Sequence, residues 1–81
     1  MRLDKYLKNA RLIKRRTVAN EACDSERVEV NGKTEKPSYR VKVGDIITVS
    51  FGNKRLNIRV LSIDDHPGKE QASLLYEEIK A

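Results

Sequence analysis

The amino-terminal part of the chain repeats its apolar positions with the period of an α-helix. This spacing predicts a first helix over about residues 2–13, with one apolar stripe facing a core. The stripe falls at i, i+3, i+4 and i+7, as Leu3, Tyr6, Leu7 and Ala10.

A second helical pattern follows after a short basic segment. Thr17 is typical of a helix N-cap, and Asp24-Ser25-Glu26 is expected to end the helix. The apolar positions between them are Val18, Ala19, Ala22 and Cys23.

Beyond the second helix, apolar and polar residues alternate with the period of β-strands. Residues 27–30, 46–51 and 55–64 show this alternation, and residues 33–36 fit a short returning strand or loop. Asn31-Gly32, Gly44-Asp45 and Gly52-Asn53 supply turn signals. We therefore expect a small antiparallel sheet against which the two helices pack.

The last segment returns to helical spacing after Pro67-Gly68, and we expect a short C-terminal helix there. The predicted fold class is thus α+β: two N-terminal helices packed on a small antiparallel sheet, plus this helix, in one domain over residues 1–81. The apolar positions of the C-terminal pattern are Ala72, Leu75, Tyr76 and Ile79.

Length and composition limit what this domain can contain. A chain of 81 residues builds one thin core and has little room for a deep substrate cleft. No apolar run approaches the roughly 20 residues that cross a bilayer, and there is no signal-peptide pattern. The single cysteine, Cys23, fits a reducing compartment. We expect a cytoplasmic protein that does not bind membranes.

Positive charge is concentrated at the amino terminus. The first sixteen residues carry a net charge of +6, while the other sixty-five sum to −1 and the whole chain to +5. Such clustering on adjacent helices favours a polyanionic partner. The seven candidate RNA-binding residues are Arg2, Lys5, Lys8, Arg11, Lys14, Arg15 and Arg16.

Two features of this basic end have their own interpretation. Asp4 is expected to be structural, paired with Lys8 and with the helix dipole, because a carboxylate facing phosphate would repel it. The basic corner, residues 14–16, precedes the second helix, whose first N–H groups have no intrahelical partners. Cations beside such groups are typical of a phosphate site.

The residues offer little support for catalysis. His66 lies in a predicted turn, and no second histidine or cysteine is available to complete a metal site with it. Cys23 is in phase with the apolar face of the second helix, so we interpret it as a core residue. The chain has no glycine-rich phosphate loop. We therefore expect no enzymatic activity and no cofactor.

Four short motifs in order resemble the ribosomal-protein-S-four-type RNA-binding domain, also called the alpha-L motif. The resemblance covers about residues 1–51. Residues 52–81 are expected to form a strand extension and the C-terminal helix. The motifs are Arg2-Leu3-Asp4-Lys5-Tyr6-Leu7, Arg16 with Ala19, Val28-Glu29-Val30-Asn31-Gly32-Lys33, and Val43-Gly44-Asp45.

The start of the chain, MRLDKYLKNARLIKRRT, more narrowly resembles the RqcP family of bacterial ribosome quality-control factors, which is related to heat-shock protein fifteen. This resemblance implies a monomer that binds large-subunit rRNA and peptidyl-tRNA on stalled large ribosomal subunits. It also implies a partner factor that adds C-terminal alanine tails to the nascent chain. Arg2 and Arg16 match the family's basic positions.

One residue departs from the family pattern, and several alternatives stay open. Glu26 stands where the family commonly has glycine, which accepts a left-handed cap without strain. A general rRNA- or tRNA-binding protein of ribosome assembly or heat-shock recycling, or a protein-interaction module, would also fit the charge. A DNA-binding helix-turn-helix is disfavoured by the neutral and acidic residues of the second helix.

Overall fold

The computed structural model describes residues 1–63 and 75–79 and confirms the α+β class. All strand pairings in its one sheet are antiparallel, and the strand order is β2-β1-β3-β4-β5. The elements are α1 (Leu3–Asn9), α2 (Arg16–Asp24), β1 (Val28–Val30), β2 (Lys33–Thr34), β3 (Ile46–Phe51), β4 (Lys54–Val60) and β5 (Tyr76–Glu78).

The core lies between the two helices and one face of the sheet. Tyr6 is completely buried, and its hydroxyl donates a 2.6 Å hydrogen bond to the Leu75 carbonyl, which joins α1 to the start of β5. Burial raises the pKa of the Tyr6 hydroxyl, so the group stays a neutral donor. The other large, fully buried apolar side chains are Leu3, Leu7, Val28, Ile47, Val49, Ile58, Val60 and Leu75.

The first helix is shorter than its apolar pattern predicts. It ends at Asn9 because Arg11 adopts a left-handed conformation, with φ of 59°. The Leu12 N–H then bonds the Leu7 carbonyl at 3.1 Å and the Arg11 N–H bonds the Lys8 carbonyl at 3.0 Å, which is a Schellman cap. The predicted extension to Ile13 is therefore wrong. The sequence did not reveal this helix end, because no glycine marks it.

The second helix also begins and ends in ways that its sequence only partly predicts. Arg15 is the N-cap and makes no capping side-chain hydrogen bond, so the assignment of Thr17 as the cap is wrong. The helix ends in a second Schellman cap, with Glu26 at φ of 60°. The chain thus keeps the left-handed turn in which the family commonly has glycine.

The first hairpin turn confirms its sequence signal. Asn31 and Gly32 have φ of 54° and 83°, as the turn between β1 and β2 requires. The Asn31 side chain also accepts a hydrogen bond from the Ile46 N–H at 3.0 Å and donates one to Asp45 at 3.2 Å. This residue therefore ties the turn to the start of β3.

The C-terminal segment contradicts the helical pattern. Tyr76–Glu78 is a strand that pairs with β4, and the Ile79 N–H donates to the Asn57 carbonyl at 2.8 Å. The edge of β4 would otherwise present unpaired backbone groups, so pairing there outweighs local periodicity. The predicted C-terminal helix is wrong over these residues, while its first apolar position, Ala72, and His66 lie outside the described residues.

Candidate nucleic-acid interface

The basic end of the chain is organised by one buried carboxylate, that of Asp4. Its side chain is only 3% exposed and lies in the first turn of α1. The Arg2 guanidinium donates to both carboxylate oxygens, at 3.2 and 3.3 Å, and the Arg16 Nε lies 3.4 Å from Oδ2. Asp4 therefore holds one arginine from before α1 and one from the start of α2.

Further donors complete the environment of this carboxylate. The Lys5 N–H donates to it at 2.8 Å and the Asn20 side-chain amide at 3.4 Å. Burial alone would raise the pKa of Asp4, but these hydrogen bonds and the charges of Arg16 and Arg2 lower the pKa below its ordinary value. Asp4 is therefore ionised at neutral pH. It is structural, as expected, but its partners are Arg2 and Arg16 rather than Lys8.

Arg2 and Arg16 stay accessible although both contact Asp4. Their side chains are 44% and 48% exposed, and two guanidinium groups share one carboxylate, so a positive charge remains. Each guanidinium has five N–H donors in a planar fork, more than these contacts occupy. We call this group, with Asp4, the Asp4 site; it borders a shallow depression of about 470 Å³ that Thr17, Asn20 and Glu21 also line.

The fold places one further arginine beside Arg2 along the backbone. Residues 1–3 run antiparallel to residues 39–41, so that Arg2 forms a β-bridge with Arg40, which is exposed. The Leu3 N–H bonds the Tyr39 carbonyl and the Val41 N–H bonds the Met1 carbonyl, both at 2.8 Å. Sequence reasoning missed Arg40 because only this non-local pairing places it beside Arg2.

The other predicted residues are distributed over the helical end rather than gathered at one point. Lys14 and Arg15 are exposed and line a second depression, on the other side of the basic corner. Lys8 and Arg11 are exposed near the end of α1, and Lys5 is partly buried. The structure therefore brings Arg2 and Arg16 into contact with a common group, and leaves the remaining five around them.

Arginines of the sheet are arranged differently. Arg55 on β4 contacts Glu29 on β1 at 2.5 Å, and Arg59 on β4 contacts Glu77 on β5 at 2.7 Å. Each of these cations thus has a carboxylate of its own. Arg55 and Arg59 are therefore paired one to one, whereas Arg2 and Arg16 share the single carboxylate of Asp4.

The described residues contain little that suggests another chemistry. Cys23 is buried on α2, and burial raises the pKa of its thiol to about 11, so the reactive thiolate is scarce at neutral pH. Within residues 1–63 and 75–79, no group of three or more histidine, cysteine or acidic residues is placed to hold a metal ion. Over the same residues, no helix is long and apolar enough to span a membrane.

Comparison with known proteins gives a consistent result. A family model, the S4 domain, matches residues 1–47. The chain is 52% identical to the RQC P-site tRNA stabilizing factor of Streptococcus pneumoniae, over 98% of this chain and 90% of that protein. It is 48% identical to the protein of the same name from Bacillus subtilis, over 99% of this chain and 93% of that one.

Solved structures extend the similarity to the fold. The trimeric heat shock protein 15 of Vibrio cholerae superimposes with a TM-score of 0.90 at 36% identity, over 98% of this chain and 81% of that one. Among sequence relatives, a heat shock protein 15 homolog of Aeromonas salmonicida is 37% identical over 100% of this chain but only 62% of its own length.

Proposed function

Because the chain belongs to the S4-domain family, in the group of RQC P-site tRNA stabilizing factors, we propose that it acts in ribosome quality control by binding RNA. The proposed ligands are large-subunit rRNA and the P-site peptidyl-tRNA of stalled complexes. Identity of about 50% over nearly the full chain supports this role.

The Asp4 site is the observation that carries the proposal for this chain. Arginine binds phosphate through two parallel hydrogen bonds and also stacks on exposed bases. Asp4 holds the guanidiniums of Arg2 and Arg16 in place while leaving each about half exposed. Such preorganisation lowers the entropy lost when an RNA phosphate binds.

On the motif resemblance, we also propose that the protein supports a partner factor that adds alanine tails. We propose further that it works as a monomer in the cytoplasm. Its contribution is recognition without catalysis, since binding and orientation of tRNA need no reacting group. The RNA-contacting surface comprises Arg2, Lys5, Lys8, Arg11, Lys14, Arg15 and Arg16.

The salt dependence of binding follows from the charges involved. If the surface neutralises about five phosphates, the slope of log K against log salt is about −3.5 to −4.5 by counterion release. An acidic protein partner, the alternative occupant of the basic end, gives weaker salt dependence and a complex that survives nuclease.

Co-sedimentation with stalled large ribosomal subunits tests the site assignment. We expect Arg2→Ala with Arg16→Ala to lower the affinity at least tenfold, because two phosphate contacts are lost. The matched control is Arg55→Ala with Arg59→Ala, which removes the same charge from paired positions and should retain binding. Circular dichroism verifies that both double variants are folded. Unchanged sedimentation of the first variant would contradict the assignment.

A second candidate function is general rRNA or tRNA binding during ribosome assembly or heat-shock recycling. The similarity to heat shock protein 15 relatives, with a TM-score of 0.90 for the solved structure, supports this second candidate. The two functions differ in whether binding to the large subunit depends on peptidyl-tRNA. A quality-control factor should bind subunits that carry peptidyl-tRNA better than vacant subunits, whereas a general rRNA binder should bind both equally.

A further inference from the structure

An apolar groove lies beside the basic corner, between α2 and the end of β3. It has a volume of about 480 Å³. We call it the Phe51 groove and define it by three apolar residues, Leu12, Val18 and Phe51, and three cations, Lys14, Arg15 and Arg27. None of the described residues that line it is acidic.

Two large apolar side chains of this groove remain exposed to solvent. Val18 on α2 is 47% exposed and Phe51 at the end of β3 is 45% exposed, whereas the apolar residues of the core are at most 8% exposed. Neighbouring exposed apolar residues with a polar surround often mark binding surfaces. Folding alone does not explain why these two apolar side chains are exposed, so the groove is a candidate binding site.

We propose that the Phe51 groove binds an unstacked RNA base, with the flanking phosphates contacting Lys14 and Arg15. This inference rests on the proposed RNA-binding function and adds a site to it. An aromatic ring next to cations suits a splayed-out base, which stacks on the ring while the cations bind its backbone. The described residues that line the groove include no carboxylate that would repel a polyanion.

The position of the groove favours RNA over an acidic peptide as its occupant. Lys14 and Arg15, which line the groove, directly precede Arg16 of the Asp4 site. The same RNA can therefore contact the Asp4 site with its backbone and reach the groove with a neighbouring unpaired nucleotide. An acidic peptide would also neutralise the cations of the groove. It would not account for the neighbouring Asp4 site, which is a second surface suited to phosphate.

Phe51 is the exposed aromatic residue of this chain, which has one phenylalanine and three tyrosines. Tyr6 is buried, and Tyr39 and Tyr76 are partly buried. The register Phe51↔Lys54 instead puts the phenylalanine at the end of the β3–β4 hairpin, where its ring stays accessible.

The test compares two RNA hairpins of equal length, one fully paired and one with a single unpaired adenosine, by fluorescence anisotropy. We expect the wild-type protein to bind the bulged hairpin about tenfold more tightly, which is within the range of one stacked base. Phe51→Ala should remove this preference and leave affinity for the paired hairpin unchanged. Phe51→Tyr should keep the preference, because the ring is retained.

Val43→Ala is the matched control, because Val43 is an apolar residue that is 63% exposed outside the groove. It should bind both hairpins like the wild type. Equal binding of the two hairpins by the wild-type protein overturns the base site, even if the Arg2 and Arg16 variants confirm RNA binding. A preference that survives Phe51→Ala, with weaker binding to stalled subunits, overturns it in favour of a protein partner.

Discussion

The arginines at the helical end and those on the sheet differ in how many carboxylates they have. On the sheet, Arg55 and Arg59 each contact one glutamate from a neighbouring strand. At the helical end, Arg2 and Arg16 share the buried carboxylate of Asp4. Both pairs have the same formal charge in the sequence, but only the helical pair retains positive charge in excess of its acidic partners.

From this difference we expect a polyanion to bind where cations exceed their acidic partners, rather than wherever cations are present. A surface ion pair contributes little to stability, about 0 to 1 kcal/mol, and lowers the local potential of both partners. A buried carboxylate with two partners instead fixes side-chain positions. Under the proposed function, Asp4 positions Arg2 and Arg16 and does not itself contact RNA.

We expect the largest effect from replacing Asp4, the carboxylate that Arg2 and Arg16 share. Asp4→Asn removes a buried charge that accepts hydrogen bonds from Arg2 and forms an ion pair with Arg16, and we expect the free energy of unfolding to fall by about 2 kcal/mol at neutral pH. RNA affinity should fall as well, since Arg2 and Arg16 lose their fixed positions. Urea denaturation and subunit sedimentation measure the two effects.

The pH dependence of stability gives a second test of the contact between Asp4 and the two arginines. The folded-state pKa of Asp4 is lowered from 3.8, so its stabilising contribution is present above that value and is lost as pH falls through the folded-state pKa. Asp4→Asn should therefore flatten the loss of stability below about pH 4. Asp24→Asn, at an exposed position of α2, is the control; an equal acid response in both variants would contradict the assignment.

A smaller effect is expected from a change at Glu26, between α2 and β1. Glu26 has a left-handed backbone, so Glu26→Gly should raise the free energy of unfolding by about 0.5 to 1 kcal/mol. Thermal unfolding should shift upward by a few degrees, and subunit binding should stay the same. Glu26→Gln removes the charge but keeps the strain, so a similar gain in that variant would refute the backbone explanation.

Releasing the sheet arginines is the smallest expected change. Glu29→Gln with Glu77→Gln unpairs Arg55 and Arg59 and removes two negative charges from the protein, yet we expect stability to change by about 0.5 kcal/mol or less. Affinity for stalled subunits should rise by no more than about threefold, through nonspecific attraction. A gain as large as the loss from Arg2→Ala with Arg16→Ala would mean that overall charge governs binding.

Prediction from the sequence succeeded where the determining interactions are local. The Asn31-Gly32 turn was predictable because both residues tolerate the positive φ that they adopt. The apolar stripe of α1 and the alternation in β3 and β4 also correspond to buried faces, because their periods follow directly from helix and strand geometry. The resemblance to the S4-type domain was confirmed by the family match.

Prediction failed where distant residues decide the outcome. Tyr76 was assigned to a helix from four apolar positions, but hydrogen bonds to β4 make it part of a strand. Arg11 stops α1 early, without the glycine that usually marks such a cap. The assignments of the seven RNA-contacting residues remain predictions until they are tested by mutation.

The α+β class, the family and the concentration of positive charge at one end could be inferred from the sequence, because periodicity and charge are properties of the local chain. Which cations are available depends on the folded structure. Asp4 shares its carboxylate between Arg2 and Arg16, and Arg40 comes to lie beside Arg2. Those arrangements depend on contacts between residues far apart in the chain, and the Coulomb energy of each pair depends on distance and burial, which a linear sequence does not contain.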